Sequence, residues 1–211
     1  MLDLTKPPIL KKLWTPLSLN QENPLPTKSQ QITHLENCLT FKYITVDTEG
    51  YAPNILGISI AHPGLQSMYF PIGHREDVNV DAETYEFLSY VLKTVQYRIF
   101  HHAGHDLIAL PYLFDLPFIC TMIMGHMVDE NVMSKSLDYM HKFYCGGSGK
   151  EMDPLMASII KTMGWYYVPY ALLYNYATVD AKITMELFLA LLPLYEAQFG
   201  PLWSNNVSVL S

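Results

Sequence analysis

Two carboxylates stand two residues apart in the segment "YITVDTEG", where they are Asp47 and Glu49. The β-branched and aromatic residues before them predict a strand that ends at these acids. Because successive side chains of a strand point to opposite faces, Asp47 and Glu49 share one face and Thr48 points to the other. Crowded carboxylates repel each other unless they are protonated or bridged by a cation, and oxygen ligands favour Mg²⁺ or Mn²⁺ over zinc. The spacing indicates a divalent cation site, with a solvated strand end as the alternative.

A tyrosine and an aspartate, Tyr176 and Asp180, are four residues apart in the segment "YNYATVDAK". This spacing places them one turn apart on the same face of a helix. A phenol beside a carboxylate that holds a metal can orient or deprotonate an attacking water. The alternative is an ordinary half-buried packing face, because tyrosine and aspartate at helical spacing also occur there.

Three histidines, His101, His102 and His105, precede Asp106 in the segment "FHHAGHDLIAL". A zinc site is one interpretation, but the H-E-x-x-H pattern with its glutamate is absent. Asp106 stands at the start of a predicted helix. In chain order, a D-x-E strand, this helix start and a late Y-x-x-x-D helix can bring four carboxylates and a tyrosine to one point. We therefore favour Asp106 as the functional residue of this segment.

The elements that must position these residues follow from hydrophobic periodicity. Runs rich in β-branched and aromatic residues predict strands at 41–49, 54–62, 65–72 and 97–101, the first three forming a meander. Helical spacing predicts helices at 81–95, 106–114, 121–130, 134–144, 154–164 and 169–199. Asp81 is the predicted N-cap of the first helix, Pro111 is expected to interrupt the second, and Pro193 to bend or end the last. The pattern predicts a mixed sheet beside a helical half.

Length and composition limit the class of protein. The chain has 211 residues, of which 50% are hydrophobic, and this suits one domain with a substantial core. Five of the fourteen prolines lie within residues 1–30, so we expect an extended arm there, a domain over 31–200 and a tail over 201–211. The formal net charge of −7 excludes a broad basic surface, so a nucleic-acid role needs metal ions to neutralise phosphate.

The cysteine count and the absence of long apolar runs indicate a compartment. Three scattered cysteines supply neither a disulfide framework nor a CxxC zinc site, which favours a reducing environment. The first residues lack the apolar region of a signal peptide, and no run reaches the roughly 18 apolar residues that span a bilayer. We expect a soluble protein of the cytoplasm, in a bacterial or phage-infected cell, with no membrane partner.

The acidic and tyrosine motifs together resemble the DEDDy 3'-5' exonucleases. Asp47-x-Glu49, Asp106 and Tyr176-x-x-x-Asp180 match the three exonuclease motifs of that family in order. The connecting segments are similar to those of the proofreading domain of family A DNA polymerases, the DNA polymerase I type, over roughly residues 41 to 199. The resemblance implies an α/β, RNase H-like fold with a central mixed sheet flanked by helices, in a single domain.

The resemblance also implies a mechanism with two divalent cations, Mg²⁺ or Mn²⁺, about 4 Å apart. Asp47, Glu49 and Asp180 would hold the tighter cation, and Asp47 with Asp106 the second. Tyr176 would position or activate the attacking water. Thr48, His102 and His105 would contact substrate.

Two positions depart from the family pattern N-x-x-F/Y-D, which has Asn where His102 stands and Phe or Tyr where His105 stands. The imidazole of His102 can still donate a hydrogen bond toward the site or the substrate. His105 can fill a ring-shaped pocket. We expect activity to survive, with altered rate and pH dependence.

The expected activity is removal of nucleotides from the 3' end of single-stranded or frayed DNA. The chain would act as a stand-alone enzyme or as a split proofreading subunit beside a DNA polymerase. An exoribonuclease of the RNase D type is one alternative, and a non-catalytic nucleic-acid-binding module with the same fold is another.

Six aromatic residues have two possible roles. Core packing is the preferred interpretation, and stacking on unpaired bases is the alternative, for Tyr51, Tyr69, Phe70, Trp165, Tyr166 and Tyr167.

Overall fold

The computed structural model describes residues 25–52, 54–146 and 152–202. The strands are β1 (Tyr43–Tyr51), β2 (Asn54–Ala61), β3 (Ser67–Pro71), β4 (Tyr97–Phe100) and β5 (Phe118–Cys120). The helices are α1 (Lys28–Leu39), α2 (Ala82–Thr94), α3 (Ala103–Ala109), α4 (Thr121–Val128), α5 (Leu137–Cys145), α6 (Pro154–Met163) and α7 (Tyr170–Phe199). Short 3-10 turns cover Pro111–Leu113 and Trp165–Tyr167. None of the described helices is both long and apolar enough to cross a membrane.

The five strands form one sheet in the order β3-β2-β1-β4-β5. The first three pair antiparallel, as the meander predicted, and β4 and β5 then continue parallel to β1. The predicted mixed sheet is therefore confirmed. β1 lies at the centre, and it carries both Asp47 and Glu49 near its C-terminal end. Between Glu49 and Gly50 the register shifts, and Gly50 has a φ of 100°, a conformation that favours glycine.

Helices cover both faces of the sheet, so that two cores lie on either side of β1. On one face Ile44 and Val46 pack with buried residues of α1, α2 and α3. On the other face Ile99 packs with α4, α5 and α7, where Phe188 is fully buried. The alternation along β1 therefore sends its even-numbered side chains toward α3 and its odd-numbered ones toward α7.

A buried arginine fixes strand β4, which leads into α3. Arg98 is 1% exposed, and its guanidinium donates to backbone carbonyls that close helix α2 and precede β5, those of Leu92, Lys93, Val95 and Pro117. A cation at the C-terminal end of a helix also complements the helix dipole. Arg98 thus ties α2, β4 and β5 into one support for the helix that bears Asp106.

Two predicted boundaries differ from the structure. Residues 28–30, predicted as the end of an arm, instead begin α1, where Thr27 and Gln30 form a reciprocal capping box. The part of that arm over residues 1–24 and the part of the predicted tail over 203–211 lie outside the described residues. Helix α3 starts at Ala103 rather than at Asp106, and it ends before Pro111, as expected.

Pro193 was predicted to bend or end the last helix, and ending is wrong because α7 continues to Phe199. Pro193 and Leu189, whose carbonyl loses its helical partner, both lie on the exposed side of α7. Water can satisfy that carbonyl, so the helix tolerates the proline. The predicted N-cap of α2 is confirmed, since the carboxylate of Asp81 accepts a hydrogen bond of 2.8 Å from the backbone N–H of Thr84.

Candidate active site

Three carboxylates meet between strand β1 and helix α7. One oxygen from each of Asp47, Glu49 and Asp180 lies within 4.8 Å of the others. Glu49 is buried with 4% of its surface exposed, whereas Asp47 and Asp180 are half-buried. Within the described ranges, this is the one group of three or more His, Cys, Asp or Glu residues close enough to share a metal ion. The structure therefore brings together the D-x-E pair and the late aspartate.

Thr45, two residues before Asp47 on β1, contacts the helix that carries Asp180. The hydroxyl of Thr45 donates a hydrogen bond of 2.8 Å to the backbone carbonyl of Ala181 and approaches that of Ala61 at 3.4 Å. Ala177 and Ala181 are fully buried, and their small side chains let the helix backbone come close to the strand. Thr45 thus fixes the position of α7 along β1, and with it the position of Asp180.

Asp106 is outside this group of three carboxylates and contacts β1 through Thr48. It is 2% exposed, and its Oδ1 accepts two hydrogen bonds from Thr48, at 2.9 Å from the backbone N–H and 2.8 Å from the hydroxyl. Burial raises the pKa of Asp106 to about 6, although the hydrogen bonds from Thr48 and the nearby His102 lower it. The substrate contact predicted for Thr48 stays a prediction, and what the structure shows is a buried threonine that holds Asp106.

Tyr176 lies one helical turn before Asp180 and is half-buried. Burial raises the pKa of its phenol well above the ordinary value of 10, and the charges of Asp180, Glu49 and Asp47 raise it further. The indole of Trp165 meets its ring edge to face at a centroid distance of 6.3 Å. Tyr176 is therefore a neutral phenol beside the carboxylates, suited to orienting a water by a hydrogen bond.

The histidines before Asp106 do not converge on one point. Both ring nitrogens of His101 make hydrogen bonds, to the Thr121 hydroxyl at 2.9 Å and the Lys135 carbonyl at 2.8 Å. His102 is exposed at the N-cap of α3 without a side-chain capping bond, and its ring stacks on that of His105 at 6.4 Å. These contacts give His101 a structural role, and they leave His102 and His105 at the surface beside Asp106.

Gly57 on β2 pairs with Glu49 and packs closely against Tyr69 on β3. Gly57 pairs with Glu49 across the sheet, and a Cβ there would lie 2.4 Å from the ring of Tyr69. The fully buried Tyr69 pairs its hydroxyl with the His74 Nε2 at 2.9 Å. This packing was not predicted, although a glycine inside an apolar strand is a known sign of close approach.

The donor set fits a divalent cation. All the converging groups are carboxylate oxygens, which suit Mg²⁺ or Mn²⁺ rather than a softer metal. Burial of Glu49 and Asp106 penalises their charged forms, and a bound cation would offset that penalty.

Comparison with curated proteins finds partial relatives among DNA polymerases, while no family model matches the chain. DNA polymerase I of Borreliella burgdorferi is 23% identical over 179 residues, which cover 77% of this chain and 18% of the polymerase. The DNA polymerase DpoZ of Salmonella phage PMBT28 is 23% identical over 147 residues, which cover 63% of this chain and 22% of the polymerase. The chain therefore spans about a fifth of the length of these relatives.

Comparison with solved structures finds nucleases. The RNase D of Escherichia coli, an exoribonuclease involved in structured RNA processing, superposes with a TM-score of 0.59 at 19% identity, covering 82% of this chain and 44% of that one. NrnC of Brucella melitensis with bound Mg²⁺ gives a TM-score of 0.57 at 19% identity, covering 78% of each chain. Sequence and structure thus agree with the resemblance to the DEDD exonucleases, and the fold of this chain is the RNase H-like exonuclease fold.

Proposed function

We propose that the chain is a metal-dependent 3'-5' exonuclease that hydrolyses phosphodiester bonds at the 3' end of a single strand. The observation that carries the proposal is the convergence of Asp47, Glu49 and Asp180 within 4.8 Å at the junction of β1 and α7. A non-catalytic module has no need of three crowded carboxylates, which repel one another without a cation. The intact Asp106 also favours catalysis.

In the proposed site the carboxylates bind cations and Tyr176 positions the water. Asp47, Glu49 and Asp180 would hold one divalent cation, and Asp47 with Asp106 would hold a second. When bound, such cations neutralise charge on the scissile phosphate and lower the pKa of a bound water. Thr48 keeps the carboxylate of Asp106 oriented through its two hydrogen bonds.

Tyr176 orients the attacking water as a neutral hydrogen-bonding phenol. Its raised pKa keeps the phenol protonated, so Tyr176 acts here as a hydrogen-bonding group. The imidazole of His102 is exposed and near Asp106, so it can meet substrate. His105, stacked on His102, keeps that ring in place.

The preferred substrate is the 3' end of single-stranded or frayed DNA. This preference is supported by the two DNA polymerases among the sequence relatives, and it extends to a role beside a polymerase as a proofreading subunit. RNA is the second candidate, because the structural likeness includes the RNase D of Escherichia coli. With a net charge of −7, binding of either polyanion depends on the cations.

Digestion of matched DNA and RNA strands tests the proposal. Oligonucleotides of one sequence, labelled at the 5' or the 3' end, are incubated with Mn²⁺ or Mg²⁺ and then with a chelator. The expected result is release of mononucleotides from the 3' end in the presence of metal, with DNA digested faster. Digestion that persists in chelator would contradict the role of the carboxylates, and faster digestion of RNA would favour the second candidate.

A further inference from the structure

Of the six aromatic residues with two possible roles, Trp165 is half-buried and the other five separate into two groups. Tyr69 and Phe70 are fully buried, so they belong to the core. Tyr51, Tyr166 and Tyr167 are instead 67%, 54% and 42% exposed. For these three, the preferred interpretation as core residues is wrong, because their rings remain largely in water. Exposed apolar groups that form a contiguous patch often mark a binding surface.

Two of these tyrosines surround a single cation. The guanidinium of Arg75 lies 4.7 Å from the ring centroid of Tyr167 and 5.5 Å from that of Tyr166. The two rings meet edge to face, with an interplanar angle of 86°. Arg75 is exposed, and no carboxylate of the described residues lies within ion-pair distance of it. On a chain with a net charge of −7, the exposed guanidinium of Arg75 can pair with a phosphate.

This surface contacts the two elements that carry the three carboxylates, β1 and α7. The turn Trp165–Tyr167 contacts β1, the strand that bears Asp47 and Glu49. Within the same turn, Trp165 packs against Tyr176 at 6.3 Å. The carboxylate of Glu76, next to Arg75, accepts a hydrogen bond of 2.7 Å from the backbone N–H of Tyr170 at the start of α7. The loop that carries Arg75 is thus held over the tyrosines by a contact to the helix that carries Asp180.

We propose that Arg75, Tyr166 and Tyr167 form a stacking surface for the bases of the single strand on the 5' side of the nucleotide being removed. This inference rests on the proposed exonuclease function and extends its substrate to a strand of several nucleotides. Aromatic rings stack on any base, and the planar guanidinium can both stack and pair with phosphate. The surface therefore supplies affinity without sequence preference, on a protein whose remaining charge is unfavourable for a polyanion.

Binding of a strand that resists cleavage tests the surface. The probe is a fluorescein-labelled phosphorothioate oligo(dT) of about twelve nucleotides, measured by fluorescence anisotropy with Mn²⁺, alongside the corresponding oligo(U). We expect Y166A, Y167A and R75A each to weaken binding by about fivefold or more. R75K, which keeps the charge and loses the planar group, is expected to fall between R75A and the parent.

Two matched controls lie on helix α2, which packs in a different core from α7. Tyr90 is 54% exposed on α2, so Y90A removes a tyrosine of equal exposure. Lys93 lies 5.0 Å from the ring of Tyr112, so K93A removes a cation from a comparable stack. Both controls should bind the strand as the parent does. Thermal melting checks that each variant is folded.

Hydrolysis of thymidine 5'-(p-nitrophenyl phosphate), which carries no further bases, separates the two proposals. The surface variants should hydrolyse it with the kcat/KM of the parent. If all three variants bind the strand as tightly as the parent, the stacking surface is wrong. It is also wrong if the variants melt at a lower temperature and still bind with the affinity of the parent. If the parent binds the strand and the variants do not, yet the parent hydrolyses neither substrate, the exonuclease proposal fails and the stacking surface stands.

Discussion

The hydroxyl and the backbone N–H of Thr48 donate to the same oxygen of Asp106, at 2.8 and 2.9 Å. Strand β1 therefore positions two sets of carboxylates. It supplies Asp47 and Glu49 to the cluster, and its Thr48 holds Asp106. A buried carboxylate with two converging donors has little freedom to turn, so its orientation is set before any cation binds.

Replacement of Thr48 by valine removes the hydroxyl and keeps the β-branched shape. We expect T48V to need more Mn²⁺ for half-maximal cleavage and to lose about tenfold in kcat/KM, because Asp106 is held by one donor fewer. T48S retains the hydroxyl and should resemble the parent. The measurement is cleavage of a labelled oligonucleotide over a Mn²⁺ titration, and identical titration curves for T48V and the parent would contradict the positioning role.

Neutralising one member of the cluster should separate stability from activity. Asp180→Asn removes repulsion among three close carboxylates, so in chelator we expect its melting temperature to rise above that of the parent. Added Mn²⁺ should then stabilise the parent but not the variant, and cleavage by the variant should fall by about a hundredfold or more. Asp115, which is exposed, supplies the control Asp115→Asn with parental behaviour. Equal stabilisation of the parent and of Asp180→Asn by Mn²⁺ would exclude a cation site at the cluster.

Removal of the Tyr176 hydroxyl should slow cleavage without unfolding the protein. Tyr176→Phe keeps the ring against Trp165, so the melting temperature should change little. We expect kcat to fall by about a hundredfold, with residual activity, because the water is no longer oriented. Tyr174→Phe, two residues earlier on α7, serves as the control. Cleavage by Tyr176→Phe at the parental rate would show that the phenol does not position the water.

The histidine at the start of α3 can be exchanged for the residue of the resembling family. His102 makes no side-chain capping bond, whereas Asn is a favoured N-cap, so His102→Asn should keep activity and add up to about 1 kcal/mol of stability. His102→Ala, which cannot cap the helix, should not be stabilised. Urea unfolding and cleavage rates check both effects. Complete loss of cleavage in His102→Asn would assign His102 a catalytic role of its own.

Two buried histidines make the stability depend on pH. Burial lowers the pKa of His34 and of His74 from the ordinary 6.5 to about 4. The unfolded chain then binds more protons than the folded chain between these values, so stability falls as pH is lowered from 6.5 to about 4. The expected loss is on the order of 1–3 kcal/mol for each histidine. Urea midpoints across this range measure it, and H34Q and H74Q should each show a shallower slope. Unchanged slopes would place the pH dependence in other groups.

The residues that sequence analysis located best are those whose role depends on local spacing. The D-x-E strand, the capping aspartate Asp81 and the late Y-x-x-x-D helix could be predicted because periodicity places their side chains without knowledge of the rest of the fold. Helix α1 was missed because the nearby prolines suggested an arm, although Thr27 and Gln30 form a recognisable capping pair. Strand β5, of three residues, is too short for a periodic signal.

Contacts between distant parts of the chain could not be predicted. Thr45 and Thr48 look alike in the sequence as threonines inside an apolar strand. One docks α7 and the other holds Asp106, because they point to opposite faces that different helices cover. The pairing of Arg75 with the tyrosines likewise depends on a loop contact made by Glu76. Such roles are set by the tertiary arrangement, and only the structure reveals them.

The hydrogen bond from Thr45 to Ala181 joins positions 136 residues apart. A ribosome delivers β1 first and α7 near the end of the described domain, so a growing chain displays Asp47 and Glu49 long before Asp180 exists. The third carboxylate arrives only when the last helix docks onto the strand. An unfinished chain therefore lacks the complete group of three carboxylates until α7 has been made and has docked.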